Sequence, residues 1–277
     1  MVTTDSIFFA GVVDAREGQA VAVLDIANAF LHAQNDEKFI MLLHDKFSKM
    51  MVRIDPSMYQ NYVTYSKNGE PMLHVCLSKA LYVMLRAALL FYEHIRSDLE
   101  YRWFVVNLYD PCVSNKMVDG AQMTMCGHVD DLKISHRDED MVTAFAVEMA
   151  NIYGAKTTIS RSRLHGYLGM ELDFGTCPGT LIISMIKYLH KIIDKFPEVL
   201  RGTKACPASD NLSKIQDNED RDLLPEEMAR QFHQITAQLL SLCKRARPYF
   251  ETLVSFLTTR VKEPYVDDWG TLRNSLM

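Results

Sequence analysis

The sequence predicts an α+β fold in which a β-rich core precedes an all-helical tail. Three observations predict it. Short strand-like runs crowd the stretch from Ala20 to Ser184, the tail beyond Pro225 carries only the helical period, and the composition is that of a packed globule. Of 277 residues, 48% are hydrophobic and 23% charged, which excludes a disordered, collagen-like or disulfide-scaffold chain. Lysine and arginine number 30 against 35 acidic residues, a net charge of −5. That balance argues against a simple basic nucleic-acid coat, because counterion release needs many cations facing phosphates, but it allows an enzyme with one local basic groove.

In chain order, Ala20–Ile26 and Phe39–Leu43 are predicted strands, the first rich in Val and Leu. Ser78–Leu99, dominated by Leu, Met and Ala, is predicted to be one long helix. Trp103–Leu108, Cys112–Lys116, Gln122–His128 and Asp131–Ser135 are short strands parted by polar turns such as Val118-Asp119-Gly120. A helix follows over Asp138–Tyr153, stopped by Gly154, and then Gly166–Phe174 and Thr180–Ser184 form a hairpin around Cys177-Pro178-Gly179. Between Met185 and Phe196, Ile186, Leu189, Ile193 and Phe196 share one helical face, and Lys187, Lys191 and Lys195 share another. Arg201–Leu224 is the expected linker, with a charge run from Asp217 to Asp222. Pro225 suits the first turn of the next helix, and Glu226 and Glu227 sit near the positive end of its dipole. That helix reaches about Cys243, with Met228, Phe232, Ile235, Leu239 and Leu242 as its apolar stripe; Tyr249–Arg260 and Val266–Leu276 complete the tail.

Six cysteines are scattered singly, with no C-x-x-C pair, and are expected to be reduced, mostly buried thiols of an intracellular protein. The nine histidines show no zinc spacing. The apolar run Ile7 to Val13 lacks the basic region of a secretory signal. Arg86 interrupts Ala80–Tyr92 before it reaches the roughly 18 apolar residues of a membrane span. A soluble protein with no membrane partner is the expectation.

The sharpest local feature is Gly127-His128-Val129-Asp130-Asp131-Leu132, two adjacent aspartates flanked by strand residues. Neighbouring strand residues point to opposite faces, so a regular strand would part the two carboxylates, whereas a tight hairpin tip can present both to a third group on a nearby strand. Asp25, at the end of the Val21–Ile26 run, is that third group. Three carboxylates are a sensible minimum for holding two hard divalent cations about 3.5–4 Å apart for phosphoryl transfer. On its own an Asp-Asp pair is more often a solvated turn.

The same residues resemble the reverse transcriptases of Ty1/copia-type retrotransposons. Leu24-Asp25-Ile26-Ala27-Asn28-Ala29-Phe30-Leu31-His32 resembles the family's L-D-V-K-T-A-F-L-N block, and Val75-Cys76-Leu77-Ser78-Lys79-Ala80-Leu81-Tyr82 its V-C-K-L-K-K-S-L-Y block, with Phe91-Tyr92 in the place of its W-Y. Asp110-Pro111-Cys112-Val113 is similar to D-x-C-V, His128-Val129-Asp130-Asp131 to Y-V-D-D, and Tyr167-Leu168-Gly169-Met170-Glu171-Leu172 to F-L-G-M-E-I. The run from Gly179 to Tyr188 is similar to G-x-x-x-L-S-Q-x-x-Y, and Ala246-Arg247-Pro248, Phe256-Leu257 and Lys262-Glu263-Pro264 resemble the segment that precedes ribonuclease H. The blocks cover nearly the whole chain in the family's order. Two departures stand out: His128 replaces the usual Tyr, and the Gly, Lys, Gln and Pro that follow the family's L-Y are lost between Val83 and Leu89.

The resemblance implies a right-hand polymerase palm with truncated fingers over residues 1–200, then a helical thumb or connection segment over 201–277, cut from a polyprotein ahead of its ribonuclease H domain. It implies RNA-directed DNA polymerase activity in which Asp25, Asp130 and Asp131 are catalytic and hold two Mg²⁺ or Mn²⁺ ions. Ile26, Ala29, Phe30 and Arg86 would bind the nucleotide. Phe30 would screen the sugar 2′ position, where burying an unpaired hydroxyl costs about 1–3 kcal/mol. Gly169, Lys187 and Lys191 would contact primer and template. The implied partners are an RNA template, a DNA primer, deoxynucleoside triphosphates and, in an intact polyprotein, integrase and ribonuclease H. The implied location is cytoplasmic virus-like particles and the nucleus. The rival expectations are an inactive relic or domesticated binding domain, and a two-metal nuclease built on the same three aspartates.

Overall fold

A computed structural model of the chain describes residues 2–82, 84–203, 206, 212 and 222–277. Most of the expected linker Arg201–Leu224, including the charge run up to Arg221, lies outside the described residues. In order, the elements are α1 (Thr4–Glu17), β1 (Ala20–Asp25), β2 (Gln34–His44), α2 (Asp45–Ile54), α3 (Pro56–Tyr59), β3 (Thr64–Tyr65), β4 (Pro71–Lys79), α4 (Ala87–Tyr101), β5 (Val105–Val106), β6 (Val113–Val118), β7 (Ala121–His128), β8 (Asp131–His136), α5 (Glu139–Tyr153), β9 (Thr158–Ser160), β10 (Leu164–Tyr167), β11 (Met170–Asp173), β12 (Ile182–Ser184), α6 (Ile186–Asp194), α7 (Glu226–Arg245), α8 (Glu251–Arg260) and α9 (Val266–Ser275). Helix and sheet are thus mixed, and the tail is helical. The chain divides into two compact units, residues 1–2 with 24–159 and residues 3–23 with 160–277.

The first unit is built on a six-stranded sheet in the order β5-β6-β7-β8-β1-β9, to which it contributes the last residues of β1 and the first of β9. Strands β6, β7 and β8 form a meander of two-residue turns. At Asp119-Gly120 both residues have positive φ, 48° and 78°, the mirror-image turn that matches strand twist. Leu132, Ile134, Met123 and Met125 bury the apolar side of this meander. Helix α5 opens on Asp138, whose carboxylate accepts from the Asp140 N–H at 2.9 Å, and buries Val142, Phe145, Ala146, Met149 and Tyr153. A separate sheet, β2-β4-β3, pairs Phe39 with Leu77 and Leu43 with Leu73.

Helix α4 corrects an expectation. Ser78 and Lys79 end strand β4, and the helix begins only at Ala87. Pairing with β2 captures the residues up to Lys79, and the Lys79 Nζ donates to the His32 carbonyl at 2.8 Å, so tertiary hydrogen bonds override helical propensity there. From Ala87 on, Leu90, Phe91, Ile95 and Leu99 are the buried stripe. Another correction concerns the thiols. Cys126 and Cys243 are buried and Cys112 half-buried, while Cys76, Cys177 and Cys206 are exposed; none of the six is in a disulfide. Trp103, in left-handed backbone (φ 66°) just after α4, is 82% exposed.

In the second unit, α1 is capped at its start by Thr3, which accepts from the Ser6 N–H at 3.2 Å, and at its end by Gly18 (φ 62°). Gly11 lets α1 approach Leu181 so closely that a Cβ there would lie 2.5 Å from the Leu181 Cδ2. The expected single strand Gly166–Phe174 is broken at Leu168-Gly169 into β10 and β11, and β12 pairs with β11 across the Cys177-Pro178-Gly179 loop. Helix α7 buries Phe232, Ile235, Leu239 and Leu242, the predicted stripe apart from half-buried Met228. Trp269 of α9 stacks on Phe196 with centroids 5.2 Å apart, and its Nε1 donates to Glu198 at 2.6 Å, fixing the end of the chain inside this unit. Among the described residues no helix is long and apolar enough to cross a membrane.

Candidate active site

The site grows from two chain reversals. Strand β1 is a fully buried apolar run, Val21 to Leu24, that releases Asp25 to solvent at its last residue. Strands β7 and β8 close at the pair His128↔Asp131, so Val129 and Asp130 are the two-residue turn. The Ile26 N–H donates to the Asp130 carbonyl at 2.9 Å, fastening the turn to the end of β1. Gly127 crowds Leu132 at 3.3 Å from the position of a Cβ, which keeps the two strands close just below the tip.

Val129 carries φ of 58° in this turn. A β-branched side chain in the left-handed region costs about 1–3 kcal/mol and persists only where the surroundings hold it. At the equivalent turn of β10 and β11, Leu168 (φ 52°) is followed by Gly169 (φ 79°), where glycine takes the second position without such a cost.

Electrostatically the three aspartates form one group. Burial first, then the charges of Asp130 and Asp25, push the half-buried Asp131 carboxyl up to about 6. Asp131 feels both other carboxylates, yet among the described residues no three acidic, histidine or cysteine side chains are drawn together tightly enough to form a ready-made metal cage. Their chemistry fits hard divalent cations: oxygen donors only, and a mutual repulsion that a cation would relieve.

The floor of the site is aromatic. After Asp25 the chain turns through Asn28 (φ 56°) into a short 3-10 turn, Ala29–His32, that buries Ala29 and Phe30. Tyr82 lies over Phe30 with ring centroids 4.4 Å apart and an interplanar angle of 46°, and Phe91 of α4 meets the Phe30 ring at 6.4 Å. Tyr82 is 56% exposed, whereas Phe30 is 9% exposed. Burial, then the Asp130 charge and more weakly that of Asp25, raise the Tyr82 phenol above its usual range, against a hydrogen bond from the Ala29 backbone.

The other residues expected at the site are placed as follows. Ile26 and Ala29 are fully buried. Arg86 forms ion pairs with Asp36, at 2.8 Å, and with Glu37. Asp110 is buried and shapes the entry to β6, accepting from the Cys112 N–H at 3.0 Å. Gly169, Lys187 and Lys191 belong to the second unit, where Lys187 pairs with Glu171 at 2.5 Å and Lys191 is exposed. Tyr82 was not singled out from sequence, because a helix read through Ser78–Leu99 hides it. Its signal was an aromatic residue directly after the strand-like alternation that ends at Lys79.

No family model and no curated protein matches the chain. Among solved structures it is similar to apo telomerase from Candida tropicalis, with 9% identity and a TM-score of 0.40, over 93% of this chain and 44% of that one. The same enzyme in complex with a TWJ fragment of telomeric RNA gives 10% identity and a TM-score of 0.38, over 94% of this chain and 42% of the other. Telomerase from Candida albicans with a TWJ fragment of telomeric RNA gives 10% and 0.33, over 92% and 45%. The chain spans less than half the length of each.

Proposed function

We propose that the chain carries the nucleotidyl-transfer site of a copia-type RNA-directed DNA polymerase, as the palm of a right-hand fold. The observation that carries the proposal is the fastening of the Asp130-Asp131 hairpin to the end of β1 through Ile26, which brings three mutually repelling carboxylates under one field. Asp25, Asp130 and Asp131 would hold two Mg²⁺ or Mn²⁺ ions, which when bound supply charge neutralisation for a triphosphate and a lowered pKa for a primer 3′-hydroxyl.

The protein's own contribution is to aim and to exclude. The backbone bond from Ile26 holds half-buried Asp130 against the end of β1, where Asp25 is exposed. Asp131, half-buried, keeps its proton below a pH of about 6, which makes the full negative charge of the site a property of neutral and alkaline solution. The Phe30–Tyr82 pair supplies an apolar wall beside the carboxylates for a sugar or base to lie against. An RNA template, a DNA primer and deoxynucleoside triphosphates are the proposed partners.

A second reading, a non-catalytic relic or binding domain, draws on Arg86. It occupies the place of a nucleotide-contacting glutamine in the family's block, and it is tied to Asp36 and Glu37. Primer extension on poly(rA)/oligo(dT) with Mg²⁺ or Mn²⁺ separates the two. Template-dependent extension that Asp130→Asn abolishes is expected; extension no greater than that of the variant sinks the polymerase reading.

A further inference from the structure

The end of α4 carries a tryptophan where the backbone favours glycine. The Phe104 N–H donates to the Leu99 carbonyl and the Trp103 N–H to the Glu100 carbonyl, both at 3.0 Å, and Leu99 and Phe104 are buried. This bond pair makes Trp103 the left-handed residue of the helix C-cap, a position that glycine fills most readily. Helix α1 ends on the same pair of bonds, Gln19 to Asp14 and Gly18 to Ala15, and there the left-handed residue is Gly18. Trp103 instead holds φ of 66° with a side chain attached, and that side chain is left in water, 82% exposed. Among the described residues the indole joins no hydrogen bond and no ring stack. Backbone strain and a wetted indole are two costs that no contact within the chain offsets, and strain of this kind gathers where a protein meets a ligand.

The surroundings define the ligand. Trp103, Tyr101 (also 82% exposed), Glu100, Arg102 and Lys116 of β6 line one cleft of about 500 Å³. Glu100 is paired with Arg96 at 2.8 Å, and Arg102 with Glu148 at 2.7 Å. The half-buried Lys116 holds its ammonium 5.9 Å over the buried Phe104 ring and has no acidic partner among the described residues. The cleft thus offers two exposed rings and one uncommitted cation. Lys116 pairs with Met123, five residues before His128, which sets the cleft about 17 Å down the strands from the hairpin tip at about 3.4 Å per residue.

We infer that this cleft, apart from the three aspartates, binds single-stranded nucleic acid, two successive bases stacking on Trp103 and Tyr101 while the phosphate that joins them meets Lys116. Two planar faces to one negative charge is the ratio of a single dinucleotide step. Stacking accepts any base, because every base has a π-face, and it requires an unpaired strand whose faces are free. The inference does not depend on the polymerase reading, since the cleft grips a strand and performs no chemistry on it.

The test is binding of fluorescein-labelled dT6 to the full chain by anisotropy, with the Trp103 indole N–H signal followed by NMR. The oligonucleotide is expected to shift that signal and to leave the signal of buried Trp269 in place. Trp103→Gly should weaken binding about 10-fold, the loss of one stacked base, while the thermal midpoint holds or rises by up to about 4 °C because glycine suits the cap. Tyr101→Ala should weaken binding about 5-fold. Lys116→Gln should weaken it about 3-fold and reduce the log–log salt slope by about 0.7, the share of one phosphate on a single strand. The mononucleotide dTMP should bind at least about 10-fold more weakly than dT6, since it offers one ring instead of two. If dTMP binds as well as dT6, the cleft takes a free nucleotide and the assignment to a strand is overturned. An unmoved Trp103 signal, or a Trp103→Gly variant that binds dT6 as wild type does, overturns the inference outright. So does a lowered midpoint in that variant, which would show that the indole supports the fold. If an alternating Glu-Tyr octapeptide shifts the signal and dT6 does not, the surface belongs to a peptide. A chain that binds dT6 through Trp103 yet extends no primer loses the polymerase reading and keeps this one.

Discussion

Asp131 is where the electrostatics of the site become measurable. Its carboxyl is raised from 3.8 to about 6, so between those pH values the folded protein holds a proton that the unfolded chain has released. Folding stability contributed by this group is therefore complete below about pH 4 and is lost as pH rises through 6. The shift corresponds to about 3 kcal/mol before solvent screening, and about 1–2 kcal/mol for a half-buried carboxyl after it. Carboxyl-carbon NMR should find Asp131 titrating near 6 in the metal-free protein. Asp130→Asn should lower that midpoint by removing the nearest charge, and saturating Mg²⁺ should lower it further. A midpoint near 4 in the metal-free protein would show that the three carboxylates do not share a field. The adjacent residue, Val129, makes a related point. Nothing in a valine signals a positive φ, which only the pairing of His128 with Asp131 and the Ile26 bond impose.

At the scale of elements, the helical tail was the most legible part of the chain. The stripe of α7 reads directly from its spacing because nothing but burial of one face decides it. Phe232→Ala in that stripe, at a fully buried position, should cost about 3–5 kcal/mol and speed amide exchange throughout residues 226–276, whereas exchange in β6–β8 should stay slow. Equal acceleration in both would mean that the two units unfold as one. The meander β6–β8 was legible for a different reason: polar turn pairs such as Asp119-Gly120 punctuate its apolar runs. The boundary of α4 was not legible. Residues 80–92 are apolar enough to pass for helix, and only the long-range bonds of β4 with β2, and of Lys79 with His32, hold their beginning out of it. The turn at Leu168-Gly169 was missed because a lone glycine inside an apolar run resembles a strand interruption as much as a hairpin. In the site, the hairpin tip could be read from the two adjacent aspartates. The Phe30–Tyr82 stack could not, since it joins residues 52 positions apart.

For the whole molecule, charge sets the terms on which it meets a polyanion. Residues 1–200 hold 19 basic and 24 acidic side chains, and residues 201–277 hold 11 of each. Several cations are already engaged: Arg86 with Asp36 and Glu37, Arg102 with Glu148, Lys187 with Glu171. Neither stretch has a net positive charge, so binding to an RNA–DNA duplex should weaken only shallowly with salt. A log–log slope of about −4 or less in magnitude is expected between about 50 and 200 mM. A slope beyond about −6 in a filter-binding titration would reveal a basic track that these pairings do not leave free.

The chain's two tryptophans fall in different units, Trp103 in the first and Trp269 in the second, and their surroundings are opposite. Trp103 is 82% exposed; Trp269 is 5% exposed, stacked on Phe196 and bonded to Glu198. Their ultraviolet emission therefore separates by colour. Trp269 emits from an apolar site and shifts to the red when its unit opens, while Trp103 already emits as a solvated indole and stays nearly silent. A Trp103→Phe variant would leave a single-colour beacon for the second unit, with which the melting of that half of the molecule can be followed by itself.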